Sequence, residues 1–494
     1  MMPYILVTIC CAFAALGSFL FGYDSGIIAS SIAQDDFVGR FGGQLDDATT
    51  GGIVSSFTGG AIVGSIGVSY LSDAYGRRVT IFVGGVLAAF GGALQGGAVT
   101  IAMLVAGRFI AGLAIGLMSA TVPVYCSEVA PPQIRGLLAG MQQWMIGCGF
   151  VVAQWVGYGC SQYESSFSWR FPLSFQAFPA IFLASGALFL PETPRWLIEH
   201  GKPEAGLKAL IRLHSNHKHT NNELVHREYE QIRDTIALEQ QETTKSWREI
   251  LITRPSWRRR ILLASGIQAF TQCSGVNLIN YYGPRIYATL GFSTSNALMI
   301  IGISGALSQT WNTVCLGLLD NVGRRKLLIP SLLGMGATLC VEATLSRYFD
   351  PDTSTNTHAL RAAVAMYFVF SFFFTPLGVI SWIYPSEIFP TAIRARGTSV
   401  STFVNWGLNL VFAQCAPIGL SRLGYRFFYC FMAFNWVGAG LVWLVYPETV
   451  GRSLEEVEEV FLDGGTLPGV GNSNGGESGL ARRGELSEAD KRTA

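Results

Sequence analysis

Charge is what this sequence has least of. Its 34 Lys and Arg and 33 Asp and Glu make up 14% of 494 residues, against about 25% in soluble globular domains, which excludes a large soluble domain. Neither sign is in excess. A net charge of +1 leaves no uncompensated basic face to track phosphates, so nucleic acid is set aside as a partner. Paired cysteine spacing is missing too. The ten Cys are scattered, nearly all in apolar runs (Cys10, Cys11, Cys126, Cys148, Cys273, Cys315, Cys340, Cys415, Cys430), so neither a zinc site nor a disulfide framework is expected, and they read as small buried hydrophobes. His214, His217 and His219 lack a Cys or carboxylate frame for a metal and read as a solvated face. No phosphate loop and no nucleophile sharing a cavity with a base is legible, so neither an enzyme nor a bound cofactor is expected.

Apolar residues, by contrast, fill 50% of the chain, with 57 Gly and a mean hydropathy of +0.37. This composition belongs in a lipid bilayer. Twelve spans of roughly 21 residues would occupy about half the chain. Hydropathy places helices near 4–31, 51–72, 79–98, 101–125, 136–160, 171–190, 260–289, 294–319, 327–347, 361–385, 397–420 and 426–446. The expectation is therefore an all-α membrane protein of twelve transmembrane helices. The first apolar run has no preceding Lys or Arg and no small-residue cleavage site, so it reads as a retained helix, not a signal peptide. With both termini in the cytoplasm, 26 Lys and Arg fall on that side and seven on the other, while Arg108 sits within a helix.

The chain also repeats itself. Asp73 to Arg78 (Asp-Ala-Tyr-Gly-Arg-Arg) recurs as Asp320 to Arg325 (Asp-Asn-Val-Gly-Arg-Arg), 247 residues on. Glu128 and Arg135 recur as Glu387 and Arg394 at an offset of 259, and Pro191-Glu-Thr193 recurs as Pro447-Glu-Thr449 at 256. Three motifs with nearly one offset imply two pseudo-symmetric six-helix halves. The expected organisation is an N-terminal half over 1–191, a cytoplasmic linker with short amphipathic helices over 192–258, a C-terminal half over 259–447 and a largely disordered tail over 448–494.

Each loop between the second and third helix of a half carries an acid, a turn Gly and paired Arg: Asp73 with Arg77 and Arg78, then Asp320 with Arg324 and Arg325. Topology signalling alone would explain the Arg. It does not explain the Asp. With Glu128, Arg135, Glu387 and Arg394 at matching helix ends, these charges form a ring on one membrane face, read as a cytoplasmic gate.

On these strings the chain resembles the sugar porter family of the major facilitator superfamily over nearly its whole length. The matching segments are Gly22-Tyr-Asp24, Asp73 to Arg78, Gly107-Arg108, Pro123-Val-Tyr125 with Glu128 and Arg135-Gly136, and Pro191-Glu-Thr-Pro-Arg195. In the second half they are Gln272-Cys-Ser-Gly-Val-Asn277 with Tyr281 and Tyr282, Gly323-Arg-Arg325, and Trp382 with Glu387 through Arg394. The resemblance implies the major facilitator fold, a central cavity and movement of a sugar or related polyol by alternating access.

A polyol needs uncharged amides and an aromatic platform, and amides at mid-bilayer are costly unless used. Gln143 and Gln154 lie on the fifth helix, Gln272 and Asn277 on the seventh, Asn405 and Asn409 on the eleventh. By resemblance Gln143, Gln272, Asn277, Trp382, Asn405 and Asn409 fall on the family's sugar contacts, with Phe21, Tyr281, Phe373 and Gly378 lining the same cavity. For each amide, helix–helix hydrogen bonding is the alternative. Two departures stand out: Thr271 precedes Gln272 where the family has paired Gln, so Gln268 is a further candidate. On the eighth helix Ser308 replaces the family's Asn, with Gln309 and Asn312 nearby.

Asp24 is the expected proton carrier. Burial in the first helix favours its neutral form and Arg108 favours its charged form, the competition a protonation switch requires. The alternative is a static buried pair. By resemblance, proton-coupled members carry the acid here. The reading is a proton-coupled symporter of a monosaccharide (hexose, pentose or related polyol) that works as a monomeric unit in the plasma membrane. Its partners are that solute, the proton and lipid. A facilitative uniporter and a non-transporting sugar sensor are the alternatives.

Overall fold

The computed structural model describes residues 5–41, 45–131, 134–214, 222–242, 254–289, 291–349, 357–389, 393–449 and 461. Twelve crossings form two halves of six, the major facilitator arrangement. In the first half they are α1 (Ile5–Ala14) with α2 (Leu16–Ile32), α4 (Asp47–Tyr75), α5 (Arg77–Gly96), α6 (Ile101–Val129), α7 (Arg135–Cys160), and α8 (Phe167–Phe175) with α9 (Ala177–Ala187); short α3 (Asp35–Phe41) follows the first. Helices α10 (Pro194–Glu199), α11 (Pro203–His214) and α12 (Asn222–Glu242) connect the halves. The second half comprises α13 (Pro255–Cys273) with α14 (Val276–Thr289), α15 (Thr294–Val322), α16 (Arg324–Tyr348), α17 (Thr357–Ile388), α18 (Arg394–Leu423) and α19 (Arg426–Val445). The halves meet where α4 packs on α18, α7 on α15 and α2 on α14.

Eight crossings are apolar and long enough to span a bilayer by composition alone. The other four are α7, the broken pairs α8/α9 and α13/α14, and α15. Two of them, α8/α9 and α13/α14, are interrupted, and an interruption at membrane depth needs partners for the backbone groups it frees. The break in the seventh crossing shows how the cost is met. Gly275 adopts φ +97, and the freed groups find partners: Ser274 Oγ donates to Thr271 O (2.7 Å), and Asn435 Nδ2 donates to Ser274 O (2.9 Å).

The repeated motifs make the tight turns on one face, here called the motif face. Gly76 and Gly323 take φ +94 and +99, the left-handed region that disfavours a Cβ. Their neighbours explain the rest: Glu192 of the Pro-Glu-Thr string accepts the N–H groups of Arg77 (3.0 Å), Arg78 (3.2 Å) and Thr193 (3.0 Å). Glu448 repeats this with Arg324 (2.9 Å), Arg325 (2.9 Å) and Thr449 (3.0 Å). Each carboxylate thus caps a helix N-terminus, where orphan N–H groups and the helix dipole favour an anion. Burial pushes the Glu192 carboxyl above its usual range, and the N–H donors pull it partway back. A Cβ on Gly76 would lie 2.3 Å from Glu192 Oε2. Gly76→Ala is therefore expected to destabilise the protein by about 1–3 kcal/mol, measured as a lowered unfolding temperature in detergent; an unchanged temperature would refute this account of the turn.

Two readings are corrected. Only Cys10, Cys11, Cys126, Cys160 and Cys315 are buried; Cys148, Cys273 and Cys340 are half-buried, and Cys415 and Cys430 are exposed on outward-facing helix surfaces. His214 is not on a solvated face. Its Nδ1 lies 2.9 Å from Glu228 Oε2 and its Nε2 3.0 Å from Val129 O, tying α11 and α12 to the end of α6. His217, His219 and most of the tail lie outside the described residues.

Candidate functional site

A cavity lies between the halves, walled by α7, α14, α15 and α17. Each helix presents one face at three- and four-residue spacing, the stripe an α-helix turns to one side. From α7 come Gln143, Ile146, Gly147, Phe150 and Gln154; from α15, Ile301, Ser304, Gly305, Ser308, Gln309 and Asn312. Helix α17 gives Tyr367, Phe370, Ser371, Phe374, Thr375 and Gly378, while α14 gives Val276, Ile279, Asn280 and Tyr287. The wall mixes amides, hydroxyls and aromatic rings. Gln309 Nε2 donates to Trp144 O (3.0 Å) and Asn312 Nδ2 to Gln309 Oε1 (3.3 Å), whereas Gln143 Oε1, Gln154 Oε1 and Asn312 Oδ1 are buried with no hydrogen-bond partner. Unspent buried acceptors are costly, and a polyhydroxy solute would satisfy them.

Gln143, Gln154, Gly378, Ser308, Gln309 and Asn312 are thus brought together. The other sequence candidates stand outside this wall. Gln268 Nε2 donates to Ser381 O (2.9 Å) and accepts from Asn405 Nδ2 (2.5 Å). Asn277 donates to Gln272 Oε1 (2.7 Å), and Tyr281 to Asn409 Oδ1 (3.3 Å). These bonds tie α13, α14, α17 and α18 together, and they engage one amide atom each of Gln272, Asn277, Asn405 and Asn409. Phe21 packs on Trp406 with centroids 5.2 Å apart, Phe373 packs against Gly334 of α16, and Trp382 is half-buried. Sequence reasoning missed Asn280, Tyr287, Ser304, Tyr367, Ser371 and Thr375. Stepping three and four residues along α17 from Gly378 and along α15 from Asn312 would have found most of them.

Asp24 and Arg108 meet at full burial, 1% and 0% exposed. Arg108 Nη1 donates to Asp24 Oδ1 (3.0 Å) and its Nε to Ile53 O (2.8 Å), and its guanidinium lies 5.2 Å from the centre of the Phe57 ring. Arg108 engages only one carboxylate oxygen: its Nη2 has no hydrogen-bond partner, and beside Asp24 Oδ2 stands the Gln95 amide, outside hydrogen-bond geometry. A bidentate pair would have occupied both.

On the motif face, Arg77 Nη2 donates to Glu128 Oε1 (3.0 Å) and Thr193 Oγ1 to Glu128 Oε2 (2.6 Å). Arg324 Nη2 donates to Glu387 Oε1 (2.6 Å), and Thr449 Oγ1 to Glu387 Oε2 (2.7 Å). Asp73 is 3.9 Å from Arg77 and 75% exposed, a weak partner. Arg78 contributes its N–H to Glu192, and Arg325 Nη2 donates to Trp443 O. Among the described residues, the charges of the expected ring form two like clusters whose bonds given above lie within one half each. The side chains of Arg135, Asp320 and Arg394 lie outside the described residues.

Among the described residues, bonds cross between the halves along α7 and α15, where Trp144 Nε1 donates to Thr313 Oγ1 (3.0 Å) and Gln309 Nε2 to Trp144 O, and again at the face opposite the motif face. Arg285 of α14 pairs with Asp47 of α4 (2.8 Å) and donates to Ser421 of α18 (3.0 Å), whose hydroxyl also donates to Asp47. Ser55 donates to Gln414 (2.7 Å), and Gln162 to Ser295 (2.9 Å). Asp47→Ala is expected to loosen this closure, raising alkylation of Cys148, which Gln309 contacts at 3.3 Å, by a reagent applied from the Asp47 side. Unchanged labelling, read by mass spectrometry, would exclude a latch here.

The family model "Sugar (and other) transporter" matches residues 10–461. The chain is 36% identical over 463 residues to the MFS-type transporter criB of Aspergillus cristatus, covering 94% of this chain and 95% of criB. It is 31% identical over 466 residues to a high-affinity glucose transporter of Kluyveromyces lactis, covering 91% and 84%. Among solved structures it superimposes on the proton:xylose symporter XylE bound to 6-bromo-6-deoxy-D-glucose with a TM-score of 0.77 at 24% identity, covering 93% of this chain and 99% of that one. An inward-open structure of XylE from E. coli gives 0.73 at 22%, covering 92% and 99%. At those identities the structural likeness establishes the fold.

Proposed function

The chain belongs to the sugar (and other) transporter family, an integral membrane transporter of the major facilitator superfamily, and from that premise we propose proton-coupled symport of a monosaccharide or related polyol. The observation that carries the coupling is the single-oxygen contact of Arg108 with Asp24, which leaves Oδ2 free to take a proton. Resemblance to proton-coupled members, and a structural neighbour that is a proton:xylose symporter, support the same reading. The solute binds in the cavity of α7, α14, α15 and α17, among amides and hydroxyls that can donate and accept.

In the cycle, Asp24 is protonated from outside, the solute enters and the outer face closes through Asp47, Arg285 and Ser421. The motif face then opens, solute leaves, and Asp24 releases its proton as Arg108 re-engages it. The termini are cytoplasmic, the membrane is the plasma membrane and the transport unit is one chain.

The test is uptake of labelled hexoses, pentoses, inositol and quinate in cells lacking their own carriers, with and without a protonophore, and sugar-driven alkalinisation of a weakly buffered medium. Uptake with neither alkalinisation nor protonophore sensitivity would make the protein a facilitative uniporter.

A further inference from the structure

Glu342 of α16 is a second buried acid, 2% exposed, that the cycle above does not use. Unlike Asp24 it has no cation among its hydrogen-bond partners. Tyr367 donates to its Oε1 (2.9 Å), the Ser346 hydroxyl lies 3.5 Å from the same atom, and Oε2 has no partner. Of the titratable groups on the helices around it, Tyr367 on α17 bonds to it, Tyr287 on α14 packs on Tyr367, and Tyr429 on α19 is engaged with Thr344 (3.1 Å), while His358 and Arg361 lie in the first turns of α17 and Arg426 starts α19. Arg347 on its own helix turns away, over the Tyr348 ring. A carboxylate charge held in an apolar interior without a counter-ion is expensive.

Its one strong contact leads to the cavity. Tyr367 and Tyr287 both line it, packed edge to face with centroids 5.5 Å apart. Aromatic faces are what a sugar's C–H surface packs against, and a ring held at one orientation costs less entropy to use.

We propose that Glu342 is a positioning residue for solute recognition, its carbonyl oxygen tethering the Tyr367 hydroxyl so that the Tyr367–Tyr287 pair forms a fixed aromatic wall of the cavity. The inference rests on the transport reading above and adds to it a residue two contacts away from the solute.

The experiment compares solute uptake by wild type, E342Q, E342L, Y367F and the double variant E342L/Y367F, each normalised to protein in the membrane. E342L and Y367F should each raise the half-saturation concentration about three- to tenfold with the maximal rate held, the size of one lost hydrogen bond. The double variant should add nothing further, because both changes cut one tether. E342Q keeps the carbonyl acceptor and should match wild type in half-saturation and in the pH profile of uptake. An unchanged half-saturation in Y367F, additive losses in the double variant, or a pH profile displaced in E342Q would each overturn the proposal, the last by making Glu342 a titrating group. Should E342L fail to reach the membrane, Y367F and E342Q decide the matter between them. Absence of uptake by wild type would instead sink the transport reading itself.

Discussion

Asp24→Asn is expected to abolish uphill accumulation and the pH dependence of uptake while leaving solute exchange intact. The magnitude follows from the driving force. One charge moved across 100 mV is worth about 2.3 kcal/mol, enough for roughly 50-fold accumulation, and a carrier that cannot release a proton forfeits all of it. Asn has the shape of protonated Asp, so the solute-loaded form should persist. Breaking a buried pair by removing one charge costs about 3–5 kcal/mol, and here Arg108 retains Ile53 O and the Phe57 ring. Exchange of labelled against unlabelled solute in vesicles is therefore the control for folding. Accumulation that survived the substitution would leave Asp24 and Arg108 as a structural pair only.

The second large effect concerns where solute binds. Gln143→Ala and Asn312→Ala each remove a buried cavity acceptor that has no protein partner, and each is expected to raise the half-saturation concentration about tenfold, near 1.4 kcal/mol. Gln272→Ala and Trp382→Ala should also raise it, by less. Gln272 is engaged with Asn277, and Trp382 stands outside the cavity wall. The comparison of the four half-saturation values is decisive: larger shifts at Gln272 and Trp382 than at Gln143 and Asn312 would move the solute into the space between α13, α14 and α18.

The architecture was legible because hydropathy and the repeated strings each act at the level of whole helices. Asp24 and Arg108 were legible as a pair because a charge at mid-bilayer demands a partner and the first half offers few. The cavity was half legible. Gln143 and Asn312 draw attention as amides in lipid, but Ser371 and Thr375 are ordinary in membrane helices, where their hydroxyls can bond to the preceding turn, as Thr375 does to Ser371 O (2.9 Å). Only the assembled faces mark them out. The family-implied amides Asn405 and Asn409, and the further candidate Gln268, were identified as costly groups, yet local sequence could not tell solute contact from mutual pairing, since both satisfy the same donors. The gate was legible as charges but not as bonds, because spacing along the chain does not say which half a Glu faces. Asp47 and Arg285 belong to no repeat, and their meeting depends on how α4 and α14 converge.

The capping carboxylates have a mechanical corollary. Since Glu192 and Glu448 each stitch a turn to the loop that closes the same bundle, tugging on one strand of either bundle drags the whole of it, as with the arms of tongs. Compliance is then left to the seam where α4 slides on α18 and α7 on α15. On the proposed cycle, the toll for one stroke is set by a handful of polar links, those among Asp47, Ser55, Gln162, Arg285, Gln414 and Ser421 at one face and those of Trp144 and Gln309 along α7 and α15.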